Sequence, residues 1–402
     1  MSVLRQWYVT SALVGALWML VLSTTVAVAM SFATGDPFRP SLLLSFLIGA
    51  IAAILLVLRP GGRLASWAIM AIVLVVTLLG VGPIIQETGV FLAAIGALIL
   101  SASFVVSMEK ILEACGVHTL TKYEWEDVVI RFLTGFGYIF FTAIVFIPFY
   151  VMVMTSFKNQ SELIQNPLDF SLDLDKGIDL FRSYFELFGE FNFDQYLLVS
   201  FFISVVTVFI TLAFSIPGAY AVARLRFQGQ AAFSRGILLI YMVPMIVLAL
   251  PIYIAFSVTG LRNSILGIVL IYPVTTIPVA LYMLQGYFRG LPAEIEEAGL
   301  MDGLGRLSVI WKITLPLSLP ALASVSLYVF MIAWNEFLLA FMLLDDPSKF
   351  TLTRGIASLN SSEIPRQHLM AGAVIATVPI MIIFLGLERF MTKGLTAGSV
   401  KG

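Results

Sequence analysis

Ten apolar runs, each near the length that a helix needs to cross a bilayer, divide this chain. A membrane-spanning helix takes about 20 mostly apolar residues. The chain is 60% hydrophobic and 12% charged, whereas a soluble domain has about 25% charged residues. The runs are residues 11–30, 41–58, 66–85, 89–108, 132–156, 196–222, 236–258, 264–286, 319–343 and 369–391. They predict an all-α, polytopic membrane protein.

The first four runs form a block, residues 1–108, whose linkers are short turns. The first run lacks a strongly basic start and is long for the apolar part of a signal peptide, so we expect it to be retained. The sequence of the block shows no buried charge and no polar cluster. It is either an accessory module for assembly or partner contact, or a passive extension, and the sequence leaves both open.

A charged segment, residues 109–131, marks a predicted domain boundary. Thr121 and Glu124 have the spacing of a helix capping box, and Trp125 follows them. Tryptophan is favoured at the membrane–water interface, so we predict a cytoplasmic linker and an interfacial elbow helix here. The main membrane domain is then residues 132–391, and we expect its first span to be broken at Pro148, which removes a helical hydrogen bond.

Several classes of site are excluded by composition. Cys115 is the only cysteine, so the chain has no internal disulfide and no cysteine metal site. His118 and His368 lie far apart in polar segments and are predicted to be solvated surface residues. A net charge of −1 gives no hint of nucleic acid. The phosphate-binding motif Gly-x-x-x-x-Gly-Lys-[Ser/Thr] does not occur.

A charged island, residues 287–318, separates two of the long apolar runs. Pro292 suits the first position of a helix, where no backbone donor is needed. The first turns of that helix are acidic, which suits the positive end of the helix dipole. The acids are Glu294, Glu296 and Glu297. Ala298 and Gly299 follow and predict a low-relief surface that another protein could approach closely.

The second half of the island predicts a turn and another short helix. Asp302-Gly303 is a turn or helix-stop signal. The second helix is predicted to run to about Lys312. We expect Thr314-Leu315-Pro316 to end it, because the residue before a proline disfavours helix.

The spacing in this island resembles the EAA loop of the membrane subunits of ABC importers. That loop has Glu-Ala-Ala, three residues, Gly, nine residues, Ile, one residue and Leu-Pro. The matching positions are Glu297, Ala298, Gly303, Ile313, Leu315 and Pro316. Gly299 replaces the second alanine at a helix cost of about 0.5–1 kcal/mol, which does not block docking. An ordinary amphipathic loop between two membrane helices is the alternative interpretation.

The resemblance implies a type I ABC importer permease with a six-helix core, preceded here by four extra helices. In that family the loop is a coupling helix that fits a cleft in a separate ATPase. The residues implied to contact or shape that site are Glu297, Ala298, Gly299, Asp302, Gly303, Ile313, Leu315 and Pro316. ATP and Mg²⁺ are expected on the ATPase, and this chain is expected to have no cofactor, metal site or catalytic residue.

Two further stretches, residues 219–229 and the C-terminal tail 392–402, resemble the maltose-type, short-loop subunit of the carbohydrate branch. In that branch the tail reaches the interface between the two ATPase subunits, whereas a frayed terminus is the alternative. The tail residues implied are Gly394, Leu395, Thr396, Ala397, Gly398, Val400, Lys401 and Gly402. The resemblance covers about residues 122–402 and implies import of maltose, α-glucosides or related oligosaccharides, without saying which sugar.

The implied assembly contains several other components. They are a second permease subunit, a dimer of ABC ATPase subunits, an extracytoplasmic sugar-binding protein and the surrounding membrane lipid.

Glu336 is the one acid that falls inside a predicted span, within Trp334-Asn335-Glu336. An ionisable group inside a membrane is costly and usually faces a cavity or a partner. Aromatic, amide and carboxyl groups suit sugar binding, and a Trp-Asn-x-Phe segment resembles one in sugar-importer permeases. These three residues are therefore possible substrate-path residues. The alternative is an interhelical hydrogen bond that holds the permease pair together.

Charge distribution predicts the orientation. With ten spans and a cytoplasmic N-terminus, 15 of the 23 Lys and Arg residues lie on the cytoplasmic side, as the positive-inside rule favours. This layout puts both termini and residues 287–318 in the cytoplasm of a cell (inner) membrane protein. An odd number of spans is the competing layout.

Two other functional classes remain open. A stand-alone ion-coupled carrier would need several intramembrane ionisable groups in relay, and the sequence offers only Glu336. A membrane scaffold would use the first four helices to recruit partners. Neither class predicts the spacing of the EAA loop.

Overall fold

A computed structural model describes residues 3–58, 62–86, 89–167, 169–361 and 364–396. The chain divides into two compact units, Met1–Leu180 and Phe181–Gly402. The elements of the first unit are α1 (Trp7–Thr34), β1 (Phe38–Pro40), α2 (Leu42–Leu58), α3 (Arg63–Leu78), β2 (Ile84–Gln86), α4 (Val90–Ile111), α5 (Lys122–Ser156) and α6 (Gln160–Gln165).

The second unit contains the remaining helices. They are α7 (Arg182–Glu190), α8 (Phe193–Arg224), α9 (Gln230–Tyr241), α10 (Met245–Thr259), α11 (Ile265–Gly290), α12 (Ala293–Met301), α13 (Arg306–Val309), α14 (Leu315–Leu317), α15 (Leu319–Asn335), α16 (Leu338–Leu343), α17 (Leu352–Ser358) and α18 (Arg366–Thr396). A π-helical turn, Ile310–Thr314, joins α13 to α14.

The core of the first unit forms where α1 packs on α2 and α4. A Cβ atom at Gly15 of α1 would lie 2.5 Å from the carbonyl oxygen of Gly49 on α2, so only glycine permits this close approach. Small residues of this kind are common where membrane helices meet. Trp18 donates through Nε1 to Oγ of Ser107 on α4, at 2.6 Å, and satisfies a polar group that is otherwise buried.

Two contacts in the first unit were not predicted. β1 and β2 form a short antiparallel pair, with Phe38 opposite Gln86, in the turns that follow α1 and α3. Near the N-terminus, Arg5 donates through Nε to the carbonyl oxygen of Leu120 at 2.9 Å. These pairings come from residues far apart in sequence, so no local pattern indicated them.

The predicted elbow helix is wrong as a separate element, because α5 runs without interruption from Lys122 to Ser156. Its start is as predicted: Thr121 accepts from the backbone of Glu124, which in turn accepts from the backbone of Thr121. The predicted break at Pro148 is also wrong. Proline is tolerated in membrane helices, where neighbouring groups satisfy the freed carbonyl.

Six helices in the described ranges are long and apolar enough to cross a membrane: α1, α4, α5, α8, α11 and α18. A seventh span is possible if α13–α14 and α15, which are bent by 81°, count as one. Three shorter apolar helices, α2, α3 and α10, occupy the remaining predicted runs. The prediction of ten spans stays a prediction, and all ten runs contain helix.

Two of the predicted spans are interrupted. The run 236–258 is divided into α9 and α10 at Pro244, which precedes the first residue of α10. The run 319–343 is divided into α15 and α16, with Glu336 and Phe337 between them. The second break places polar backbone groups inside a predicted span, and these groups need partners.

The two histidines differ from each other. His118 is exposed, as predicted, and its Nε2 lies 3.3 Å from Glu124. The prediction of a solvated His368 is wrong, because this residue is buried and its Nε2 lies 2.6 Å from Oε2 of Glu186 on α7. The residues around His368 are polar because α18 begins there, at Arg366. Their polarity gave no sign that α7 packs over the His368 side chain.

Candidate functional site

The charged island folds into two helical segments between α11 and α15. α12 begins at Ala293, so Pro292 is the residue before the first helical position and not the first position itself. Its φ of −58° and ψ of 123° are those of an extended residue, since proline fixes φ but leaves ψ free. The predicted helix is therefore confirmed with its start moved by one residue.

The turn after α12 follows the prediction at Asp302-Gly303. Gly303 has φ +85°, which glycine adopts without the strain that a side chain would cause. The backbone N–H of Gly303 donates to the carbonyl of Leu300, and that of Leu304 donates to the carbonyl of Gly299, both at 3.1 Å. This is the Schellman pattern of helix ends, and it fixes the direction in which the chain leaves α12.

Glu296 is buried and links α12 to two other elements. Its Oε2 lies 3.3 Å from Nε of Arg224, the last residue of α8. Its Oε1 accepts a hydrogen bond of 3.0 Å from the hydroxyl of Thr314, in the π turn. Tyr220, one turn earlier on α8, is 3.4 Å from Oε2. The carboxylate is thus the centre of a polar cluster, which we call the Glu296 cluster.

Arg224 extends this cluster to a third helix. Its Nη2 donates to the carbonyl oxygen of Leu291 at 2.7 Å, immediately after the last residue of α11. A carbonyl at a helix end has no partner within the helix, so Arg224 satisfies one there. One guanidinium therefore joins the ends of α8 and α11 to the first turn of α12.

Gly299 lies on the same side of α12 as Glu296, three residues along, and is also buried. A Cβ atom added there would be 2.5 Å from Cδ1 of Ile313. The interpretation that Gly299 adds to an exposed low-relief surface is therefore wrong. Its missing methyl group gives Ile313 room to pack beneath the helix, whereas Ala298 is exposed as predicted.

The end of the second segment differs from the prediction. Thr314-Leu315-Pro316 does not stop the helix, because the π turn passes directly into α14, which continues to Leu317. A π turn has wider hydrogen bonding than an α-helix, which lets the chain pass Pro316 without a break. The helical segment ends at Ser318, where the chain bends towards α15. Leu315 is half-buried and Pro316 is exposed.

The outer side of α12 is free of these internal contacts. Residues 294, 297, 298 and 301 recur at helical spacing, and all four are exposed. Glu294 and Glu297 make it acidic, and Met301 is 88% exposed. Leu307 and Trp311 of the second segment are 75% and 71% exposed. We call the exposed side chains of Glu294, Glu297, Ala298 and Met301 the outer face of α12.

The predicted path residues have three different environments. Trp334 is buried, stacks on Phe330, and donates through Nε1 to the carbonyl of Ala376 on α18 at 3.1 Å. Asn335 is exposed and donates to the carbonyl of Met331 at 2.9 Å. Of the three, Asn335 is the exposed one, and the path-lining role stays a prediction.

Glu336 occupies the break between α15 and α16 and accepts three hydrogen bonds. Two come from the backbone of Leu339 at 2.8 Å and Ala340 at 3.1 Å, in the first turn of α16. The third, at 2.8 Å, comes from the hydroxyl of Tyr272 on α11. The carboxyl group satisfies backbone donors that the break leaves open. The hydrogen bond from Tyr272 joins two helices of this chain, whereas the predicted bond between the two permease subunits stays a prediction.

Residues 214–396 match the family described as binding-protein-dependent transport system inner membrane component. The inner membrane ABC transporter permease protein YcjP of Escherichia coli (strain K12) is 38% identical over 270 residues, which are 66% of this chain and 95% of that relative. The chain belongs to this family of ABC transporter permeases. It is thus a multi-pass inner-membrane component of a transport system.

Other relatives agree with this assignment. The trehalose/maltose transport system permease protein MalG of Thermococcus litoralis is 32% identical over 280 residues, covering 69% of this permease and 99% of MalG. A crystal structure of a bacterial ABC transporter involved in the import of the acidic polysaccharide alginate matches with a TM-score of 0.57 at 22% identity. It covers 68% of this permease and 99% of that chain, and it shows the fold. About a third of the permease lies outside these matches.

The C-terminal tail of the permease falls largely outside the described residues. The backbone of Gly394, Leu395 and Thr396 continues α18. The other predicted tail residues, Ala397, Gly398, Val400, Lys401 and Gly402, lie outside the described ranges. Their contact with an ATPase stays a prediction.

Sequence reasoning missed the inward role of Glu296. It treated the three glutamates of α12 as one acidic turn, whereas the structure turns one of them inward. A signal was present: Glu296 and Gly299 are three residues apart and share a helix face. A face that needs glycine is a face that packs closely.

Proposed function

We propose that this permease is one half of the pore of an ATP-driven, binding-protein-dependent sugar importer. Support for the substrate class comes from relatives that are named as permeases for trehalose/maltose, arabinooligosaccharides and diacetylchitobiose. Its own substrate is maltose, another α-glucoside or a related oligosaccharide. A second permease completes the pore, two ATPase subunits hydrolyse ATP with Mg²⁺, and an extracytoplasmic protein delivers the sugar.

The observation that carries the proposal is the division of α12 into two sides. Its outer face is acidic and exposed around a residue as small as Ala298. Its inner side is tied through Glu296 to Arg224 of α8 and Thr314 of the π turn. A helix that only linked two spans would not need both features. A helix that receives force needs a contact surface outside and rigid connections inside.

Force applied to the outer face is passed to the membrane helices by the Glu296 cluster. Displacement of α12 pulls on Arg224, which also holds the carbonyl after α11. α8 and α11 pack closely through a hydrogen bond of 2.6 Å between Thr211 and Thr276, so they move together. ATP-driven closure of the ATPase pair therefore changes the helix arrangement of the pore, without covalent chemistry on this chain.

Glu297→Lys tests the docking step. It reverses a charge on the outer face and adds bulk beside Ala298, so the ATPase should be lost from the purified complex. Glu296 is left intact, and the permease itself should therefore fold and insert normally. The measurement is co-purification of the ATPase with the tagged permease, with Glu294→Lys as a graded control at the edge of the face. Full retention of the ATPase in Glu297→Lys contradicts the proposed docking surface.

Deletion of residues 397–402 tests the predicted contact of the tail with the ATPase. The deletion leaves the described residues of α18, Arg366–Thr396, unchanged. We expect ATP hydrolysis to persist while sugar uptake into vesicles falls, because the tail is proposed to link the two. Unchanged ratios of uptake to hydrolysis rule out this role. Uptake that needs neither ATP nor an ATPase instead indicates an ion-coupled carrier.

A further inference from the structure

The nine-residue helix α7 presents three different sides around its axis. Leu187 is buried in the same core as Phe193 and Tyr196 of α8. A second side is charged: Nε of Arg182 donates to Oε1 of Glu186 at 2.7 Å. The third side is aromatic, as Phe185 and Phe188 are 64% and 45% exposed.

The aromatic side is a continuous stripe. Phe181, immediately before α7, is 48% exposed, and positions 181, 185 and 188 share one face at about 100° per residue. The same angle of about 100° per residue places Leu187, the centre of the buried side, on one flank of this face. It places Glu186, the centre of the charged side, on the opposite flank. We call Phe181, Phe185 and Phe188 the aromatic stripe of α7.

The charged side is also fixed to the protein. Oε2 of Glu186 lies 2.6 Å from Nε2 of His368, near the start of α18. The Arg182 guanidinium, followed by His368, holds the pKa of Glu186 below its ordinary value against the opposing effect of burial. Glu186 is therefore ionised at neutral pH, and it fixes the rotation of α7 about its axis.

α7 lies directly before a candidate membrane span along the chain. Only Phe191 and Asn192 separate α7 from α8, which is long and apolar enough to span a membrane. The first turns of α8 expose Leu198, Phe201 and Phe202, as a lipid-facing helix does. A short amphipathic helix next to a span, with one side on protein and another charged, has its third side available to the interface.

We propose that the aromatic stripe of α7 lies in the headgroup region of the membrane and sets the depth of α8 and α18. The lipid surface is the occupant that the surroundings favour, because the stripe is followed along the chain by the exposed apolar start of α8. A protein partner would instead shield the stripe from lipid and water alike. α7 packs on α8 through the shared core and contacts α18 through His368. Insertion of the aromatic stripe into the headgroup region would therefore fix the position of the adjoining ends of α8 and α18.

Spin-label accessibility in the complete transporter tests whether the aromatic stripe lies in the headgroup region. Single cysteines replace Phe185, Phe188 and, as a matched control on another side of the same helix, the exposed Glu190. Burial, followed by the nearby charge of Glu124, raises the pKa of the native Cys115 to about 11, so this thiol reacts poorly at pH 7. The labelled complexes are placed in nanodiscs of phosphatidylethanolamine and phosphatidylglycerol. Collision with oxygen, which concentrates in lipid, is compared with collision with a water-soluble nickel chelate.

We expect the ratio of oxygen to nickel collisions to be several-fold higher at 185 and 188 than at 190. Equal ratios at all three positions, with free access of the nickel chelate, show that the stripe faces water and overturn the proposal. Low access of both reagents at 185 and 188 shows a protein contact and overturns it as well. The two stripe positions are exposed in the fold, so labelling them does not disturb the core, and each checks the other.

Discussion

Two carboxyl groups hold the second unit together in different ways. Glu296 is paired with a cation, Arg224, and links α12 to α8 and the π turn. Glu336 accepts from backbone N–H groups and from Tyr272, and links a broken helix to α11. A charge pair joins the elements that we propose transmit force, whereas neutral donors complete a helix end. Acids in one membrane domain thus have different roles according to their donors.

Removing the cation should have the larger effect on stability. Arg224→Ala removes the cation that is paired with the buried Glu296, and breaking a buried pair in this way costs about 3–5 kcal/mol. The carbonyl after α11 also loses its donor. We expect a large fall in the thermal midpoint of the detergent-purified complex, together with uncoupled ATP hydrolysis.

Arg226→Ala is the matched control for this change. Arg226 is exposed two residues further on, so its removal should change stability by little. A second variant, Glu296→Gln, keeps the size of the side chain and its bond from Thr314 but removes the charge. If Arg224→Ala and Arg226→Ala have the same midpoint, the ion pair does not hold α12, and the contrast with Glu336 fails.

Removing the donor to Glu336 should have an intermediate effect. Tyr272 is fully buried, and leaving a buried group without its hydrogen-bond partner costs about 1–3 kcal/mol. Tyr272→Phe should therefore lower the thermal midpoint less than Arg224→Ala does. Because the backbone bonds to Glu336 remain, α16 should persist and the complex should still assemble.

Glu336→Gln separates the two roles considered for this residue. Glutamine can still accept from Tyr272 and from one backbone N–H, so assembly should be retained. A path-lining role predicts altered sugar uptake at normal assembly, measured in vesicles. Loss of assembly points instead to a structural role, and unchanged uptake with full assembly removes Glu336 from the path.

Local signals in the sequence predicted part of this architecture. The Asp302-Gly303 turn and the Thr121–Glu124 capping box were predictable, because each depends on a few adjacent residues. The apolar runs located the long helices of the described ranges, and the spacing from Glu297 to Pro316 located the segment that we propose as the coupling loop. The inward rotation of Glu296 was not predictable, since it depends on Arg224 at the end of another helix. The break at Glu336 was not predictable from hydropathy. Hydropathy does not show the hydrogen bonds that Glu336 accepts from Tyr272 and from two backbone groups.

The smallest expected effect concerns the packing beside Glu296. Gly299→Ala restores the alanine of the EAA pattern and favours the helix by about 0.5–1 kcal/mol. The new methyl group would lie 2.5 Å from Cδ1 of Ile313, at the flexible end of that side chain, which can rotate away. The two effects oppose each other, so the thermal midpoint should move by no more than a few degrees. The double variant Gly299→Ala with Ile313→Val removes the offending methyl and should be at least as stable as Gly299→Ala alone. A severe loss from Gly299→Ala that Ile313→Val does not relieve would mean that the inner side of α12 is held by contacts other than those around Ile313 and Glu296.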